Sequence, residues 1–395
     1  MKYELVALSP IHIGNGSQIN NWSYAVENGK IKIYNFDKVV KELKTNPQRL
    51  INLTADIERH PLDKTLGDFL KNFKLNINPT YTLDFKGKMK KSNSRKNIEE
   101  YKQIWEFIKE NGNVYIPGTE IKGAIRTALF YKILRDKLNE DSRLKEKFLK
   151  EYEECINRGE KIKRNFSDFE KKWESIVFRA GFEKAFDKKF KYADAKKDIL
   201  KILLISDSDQ KNPEEVLQVK DISAIKVSRH FDEPHELVKT GSKFTIDIKI
   251  PFKDEYKKIF PNTYVYLGLK KLREACADFS LALLDADIEY FRNTKELDFD
   301  IKSKIIEKLE GRKKLANIAK TTNEKKMKYI ILRIGKHQGF LSTTINLLVK
   351  ELNPDLYARA YEYLVPKGYS DFPNKSRKLT IDNELLGWCV LIPQE

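Results

Sequence analysis

Four groups of residues have the types and spacing to do chemistry. His12 stands in the run Ser9-Pro10-Ile11-His12-Ile13-Gly14-Asn15-Gly16, after an apolar stretch and before a glycine turn. A histidine that titrates near neutrality can act as general acid or base in metal-independent RNA cleavage, where the 2′-OH supplies the nucleophile. A strand-end histidine more commonly does no more than bond a neighbouring backbone group. Asp207 and Asp209, in Ser206-Asp207-Ser208-Asp209, can ligate magnesium, but the same pattern more often makes a turn that satisfies its own amides.

The other two groups are glycine-bearing turns. Val114 to Leu129 reads as a strand, a turn through Pro117-Gly118 and a helix in which Thr119 is the expected N-cap and Glu120 suits the positive end of the dipole. Ile121, Ile125, Ala128 and Leu129 form its apolar stripe, and Lys122 and Arg126 are i,i+4 neighbours on the first turns. Free N–H groups at a helix start favour an anion, and Gly118 and Gly123 allow a phosphate backbone or another chain to approach closely. Ile330 to Ile345 echoes this pattern, with Arg333, Gly335, Lys336, His337, Gln338 and Gly339 in its turn. It is not a P-loop, because Lys336 precedes Gly339 and is followed by His337 rather than by Ser or Thr. The residues that remain can contact phosphate, sugar or base. The bland reading of both turns is ordinary packing, with cations that serve solubility.

Other candidates are weaker. His230 and His235 have no partners at zinc spacing and read as structural. Cys155, Cys276 and Cys389 are too far apart in sequence for a C-x-x-C motif or a disulfide framework, which fits a reducing cytosol. No cofactor or metal is called for.

The elements that must position these groups follow from periodicity. Tyr3 to Leu8 is strand-like, and Tyr24 to Val26 with Ile31 to Tyr34 flanks a hairpin signal. Phe36 to Leu43, Leu62 to Phe73 and Ile98 to Ile108 carry helical spacing, and Tyr81 to Phe85 is strand-like. Residues 130 to 204 form a helical insertion with apolar positions at Leu134, Leu138, Leu144, Phe148, Tyr152, Phe169 and Trp173. Alternation resumes at Val216 to Val227 and Phe244 to Ile250, helical spacing follows at Lys270 to Phe291 and Ile301 to Leu309, and the end is strand-like. Two related α+β halves, residues 1–210 and 211–395, are the simplest organisation.

The chain has 395 residues, a formal charge of +17 and 41% hydrophobic residues, enough for real cores. Its apolar runs are too short to span a bilayer, and its N-terminus lacks a signal-peptide core. Lys86, Lys88, Lys90, Lys91, Arg95 and Lys96 form a basic stretch without an acid, expected to be a mobile loop. Gly311 to Lys336 is a second basic stretch, opposed only by Glu324. Two such stretches favour a long polyanion, although both also suit plain solvated faces.

Together the His12 run, the Tyr115 to Leu129 run, Leu203 to Ser208 and the Gly335 to Ser342 loop resemble the RAMP superfamily of CRISPR proteins, most closely the fifth Csm subunit of type III-A effector complexes. The resemblance covers nearly the whole chain. It implies ferredoxin-like, RNA-recognition-type domains with a glycine-rich loop. It also implies a binding and assembly subunit that caps the filament at the crRNA 3′ region and takes part in crRNA maturation and antiviral defence. The expected partners are crRNA and the neighbouring backbone subunit. The RNA-binding set is then His12, Lys88, Lys90, Arg95, Gly118, Lys122, Gly123, Arg126, Arg333, Gly335, Lys336, His337, Gln338 and Gly339. Two rivals stay open: an endoribonuclease working through His12 or Asp207/Asp209, and an interaction hub whose basic face recruits an acidic host nuclease.

Overall fold

The computed structural model describes residues 1–93, 98–157, 162–187, 189–225, 232–251, 257–258, 261–322, 328–364 and 377–394. Alternation of Tyr3, Leu5 and Ala7 toward the core makes Lys2–Ala7 a central strand. It pairs antiparallel with Lys243–Lys249 on one side and Trp388–Pro393 on the other. Leu204–Ile205 and Ile330–Arg333 complete this five-stranded antiparallel sheet. The helices Gly118–Glu140 and Leu269–Asn293 pack on each other and on this sheet, giving the layers of an RRM-like unit. Phe299–Thr321 lies along Leu269–Asn293.

A second, mixed sheet runs Gly14–Ile19, Ile104–Phe107, Glu233–Val238, Leu217–Ala224, Tyr81–Lys86, Lys30–Ile33 and Tyr24–Glu27. The short strand Lys378–Thr380 also pairs with Leu217–Ala224. The architecture is therefore α+β. Each sheet takes strands from both sides of residue 210, so the boundary expected there does not divide the sheets.

The helical insertion is present as the second half of Gly118–Glu140, then Ser142–Asn157 and Ile162–Ser175, followed by a π-helical turn at Ile176–Ala180. Its apolar positions Leu144, Phe148, Tyr152, Phe169 and Trp173 are buried, and Phe148 meets Trp173 edge-on with ring centroids 5.0 Å apart.

Two expectations fail. Ile98 to Ile108 is not a helix but the strands Ile98–Tyr101 and Ile104–Phe107. Ile104 and Phe107, buried three residues apart, imitate a helical stripe, and pairing with Gly14–Ile19 and Glu233–Val238 overrides it. The basic stretch after Lys86 is not a loop throughout, because Lys90–Asn93 pairs with Ile98–Tyr101. That pairing sets Lys90 Nζ 3.6 Å from Glu99, which tempers the basic charge. Lys88 is exposed and its amide donates to Asp221, while Arg95 lies outside the described residues.

Candidate nucleic-acid interface

The segment after the first strand turns inward, leaving His12 0% exposed. Its Nδ1 lies 2.8 Å from the Glu236 carbonyl, so Nδ1–H donates and Nε2 carries a lone pair. Burial, assisted by the positive field of Lys336 and Lys109, pushes its pKa down to about 4 against the pull of that backbone bond. His12 also anchors the distant Gly335 to Ser342 loop, since its carbonyl accepts the Lys336 amide at 2.7 Å. Gly335 has φ 81, and a Cβ there would lie 2.4 Å from the His12 oxygen. Only glycine permits this crossing.

The loop delivers His337 to His235. Their Nε2 atoms are 3.0 Å apart, and His235 meets the His12 ring edge-on at 4.8 Å. Burial lowers the pKa of His235 to about 2, with His12 adding to the effect, and that of His337 to about 3, with Lys378, His12 and Lys336 adding. His235, set apart from the other histidines in the sequence reading, thus joins them through the sheet. His230 lies outside the described residues. Among the described residues, no group of three or more His, Cys, Asp or Glu is arranged to hold a metal ion.

Beside the histidines is a cleft of about 430 Å³ whose walls include Gly14, Trp105, Glu120, Lys336 and Gln338. Trp105, on the strand Ile104–Phe107, stacks toward His235 with centroids 6.0 Å apart, and Lys336 Nζ stands 4.0 Å from the Trp105 ring centroid. Glu120, in the first turn of its helix, accepts the Gly335 amide at 3.2 Å. The two glycine turns that echo one another in sequence therefore meet, and the His12 run meets them there. Trp105 carried no sequence signal beyond being an aromatic residue beside a charged one.

A model of the RAMP superfamily matches residues 4–297. The chain belongs to the RAMP superfamily. Among relatives of this RAMP protein is the CRISPR system Cms protein Csm5 of Methanocaldococcus jannaschii, 26% identical over 421 aligned positions that cover 98% of this chain and 88% of that one. Its fold resembles a chain of a Csm-crRNA-target RNA ternary complex of a type III-A CRISPR-Cas system, with TM-score 0.69, 21% identity and full coverage of both chains. It also resembles T. onnurineus Csm5, with TM-score 0.68 and 22% identity over 98% of this chain and 99% of that one.

The remaining candidates of this RAMP protein lie outside the cleft or serve its own chain. Arg126 pairs with Glu174, lies 2.7 Å from Asp198 and covers the Phe178 ring, which fastens the insertion to its helix. Lys122, half-buried, also feels Asp198, while burial lowers its pKa. Arg333 is buried and bonded to Asp287 at 2.8 Å and to the Leu386 carbonyl. Asp287 also binds Arg377 at 2.7 Å.

Asp207 and Asp209 take the backbone role. Asp207 accepts the Gly118 amide at 2.7 Å and Asp209 accepts the Thr245 amide at 2.7 Å. The N-cap is Pro117 rather than Thr119, so a carboxylate from another segment occupies the helix start expected to receive phosphate. Gly118 is required by packing, since a Cβ there would lie 2.5 Å from the Ile205 oxygen. Gly123 and Gly339 face open space. Cys155, Cys276 and Cys389 are buried and not joined in disulfides, and no helix among the described residues is long and apolar enough to cross a membrane.

Proposed function

We propose that this RAMP protein is the crRNA-binding subunit that caps a type III-A Csm effector filament at the 3′ region of the guide and supports crRNA maturation in the cytoplasm. The observation that carries this reading is the convergence of the His12 run, the Glu120 turn and the Gly335 to Gln338 loop on one cleft with the exposed Lys336 at its wall. The relative named Csm5, aligned along nearly the whole chain, supports it. Its partners are then crRNA and the neighbouring backbone subunit, and its contribution is binding. Neutralised phosphates supply affinity, and the cleft supplies position.

The test is to co-express the chain with the other subunits of its complex and map crosslinks along the guide. Crosslinks concentrated at the guide 3′ end are expected, and crosslinks spread evenly or confined to the 5′ end overturn the capping role. Incubating the pure chain with repeat-containing RNA checks the binding role. Chelator-insensitive cutting that is lost in His12→Ala would replace it with a ribonuclease.

A further inference from the structure

We infer that the cleft receives one unstacked nucleobase of single-stranded RNA, held against Trp105 and read at its edge by hydrogen-bond acceptors, so that guanine is preferred. This deepens the RNA-binding reading and rests on it.

The polarity of the wall carries the argument. His12 commits Nδ1–H to the Glu236 carbonyl, and its Nε2 lone pair is buried without a partner. A Cβ on Gly14 would lie 3.0 Å from that Nε2, and Gly14 lines the cleft, so the nitrogen lies directly behind the glycine wall. Gln338 donates from Nε2 to the Gly335 carbonyl at 2.9 Å, and its Oε1 is likewise buried without a partner. Glu120 uses one oxygen on the Gly335 amide, and a carboxylate has further lone pairs. Buried polar atoms are almost always paired, so two unpaired acceptors, Gln338 Oε1 in the wall and His12 Nε2 behind Gly14, call for a donor from outside the chain.

A bare phosphate is the wrong occupant, since it meets acceptors and a carboxylate. Guanine offers adjacent N1–H and N2–H₂ donors, whereas uracil has one ring N–H, and adenine and cytosine have only an exocyclic amine. Lys336, exposed above the Trp105 ring, is placed for a base carbonyl or the attached phosphate. A half-buried indole supplies the stacking face that single-stranded RNA readers use. The volume of about 430 Å³ falls within the range of small-ligand sites.

Tryptophan fluorescence tests this on the full chain. Trp22, Trp173 and Trp388 are buried, so quenching by added RNA reports Trp105. The probes are short oligouridines with and without one central guanosine, and the same length with adenosine or cytidine instead. The guanosine oligomer should quench most and bind about tenfold tighter than oligouridine. Trp105→Phe should lose the quenching and keep the affinity, and Trp105→Leu should lose about tenfold in affinity. Glu120→Gln, which still accepts the Gly335 amide, should bring the guanosine preference to within about twofold. Equal binding of all oligomers without quenching, with Trp105→Leu unimpaired, overturns the base pocket and leaves the RNA-binding reading standing. A preference for adenosine overturns the edge assignment. Failure to bind any RNA, alone or in the assembled complex, overturns both.

Discussion

His337 donates to His235 across 3.0 Å, and the direction of that bond is fixed by the rest of the cluster. His235 Nδ1 lies 2.8 Å from the Glu233 carbonyl, so Nδ1–H is its donor and its Nε2 must accept. His337 therefore carries a proton on Nε2, and the bond requires the accepting His235 ring to be neutral. The left-handed backbone of His337, φ 68, is the conformation that points the ring inward from its loop.

Acid should loosen this cluster. The unfolded chain protonates histidine near pH 6.5, while the folded His12, His235 and His337 resist protonation down to about 4, 2 and 3. Below pH 6.5 the unfolded state binds more protons, so stability is full above that pH and falls from 6.5 downward, through about 4 for His12, 3 for His337 and 2 for His235. Glu170, raised to about 7 by burial, opposes this with one proton between its ordinary value and 7. Thermal unfolding between pH 7 and 5 should show a net fall. His337→Asn, which tolerates the same backbone, should reduce the slope by about one proton, or about 1.4 kcal/mol per pH unit. An unchanged slope would show that the rings titrate normally.

Lys336 and Arg126 should separate cleanly. Lys336→Ala should flatten the salt dependence of RNA binding by about one phosphate contact at unchanged stability. Arg126→Ala should leave the slope alone and destabilise by about 1–3 kcal/mol, because Glu174 and Asp198 lose their partner. Salt titrations of affinity alongside urea unfolding check both, and a flattened slope in Arg126→Ala would return that residue to the interface.

The start of the helix Gly118–Glu140 is a second sensitive point. Asp207→Ala removes the acceptor for the Gly118 amide and should lower stability by about 1 kcal/mol. Gly118→Ala should lower it by about 1–3 kcal/mol, since the Ile205 and Ser206 oxygens are backbone and must shift. Chemical denaturation of the two variants measures the difference, and an Asp207→Ala protein of wild-type stability would deny the cap.

Arg333→Ala should be the costliest of these changes, about 3–5 kcal/mol, because it leaves the buried Asp287 with Arg377 alone. Denaturant midpoints read it. A loss of RNA affinity at unchanged stability would show that Arg333 works at the interface after all.

Much of the local structure was legible in the residues. Alternation at Tyr3 to Leu8, the turn chemistry between Tyr24 and Tyr34, and the stripe Ile121, Ile125, Ala128, Leu129 each depend on neighbours a few positions away. The positions where the chain needs glycine at Gly118 and Gly335 were legible too, along with the family and the excess of positive charge. Partner choice was not. Arg126 and Lys336 look equivalent in sequence, each a cation beside a glycine-bearing turn. Folding brings Glu174 and Asp198 to the first and leaves the second exposed over Trp105. His12, His235 and His337 stand far apart along the chain, and only the fold, which brings the loop after Ile330–Arg333 to His12 and to the strand Glu233–Val238, sets them ring to ring. Backbone propensity is a local quantity, whereas the burial and pairing of a charge depend on whatever the fold carries to it. The sequence therefore determined the elements and the net charge, and the tertiary structure decided which charges face outward.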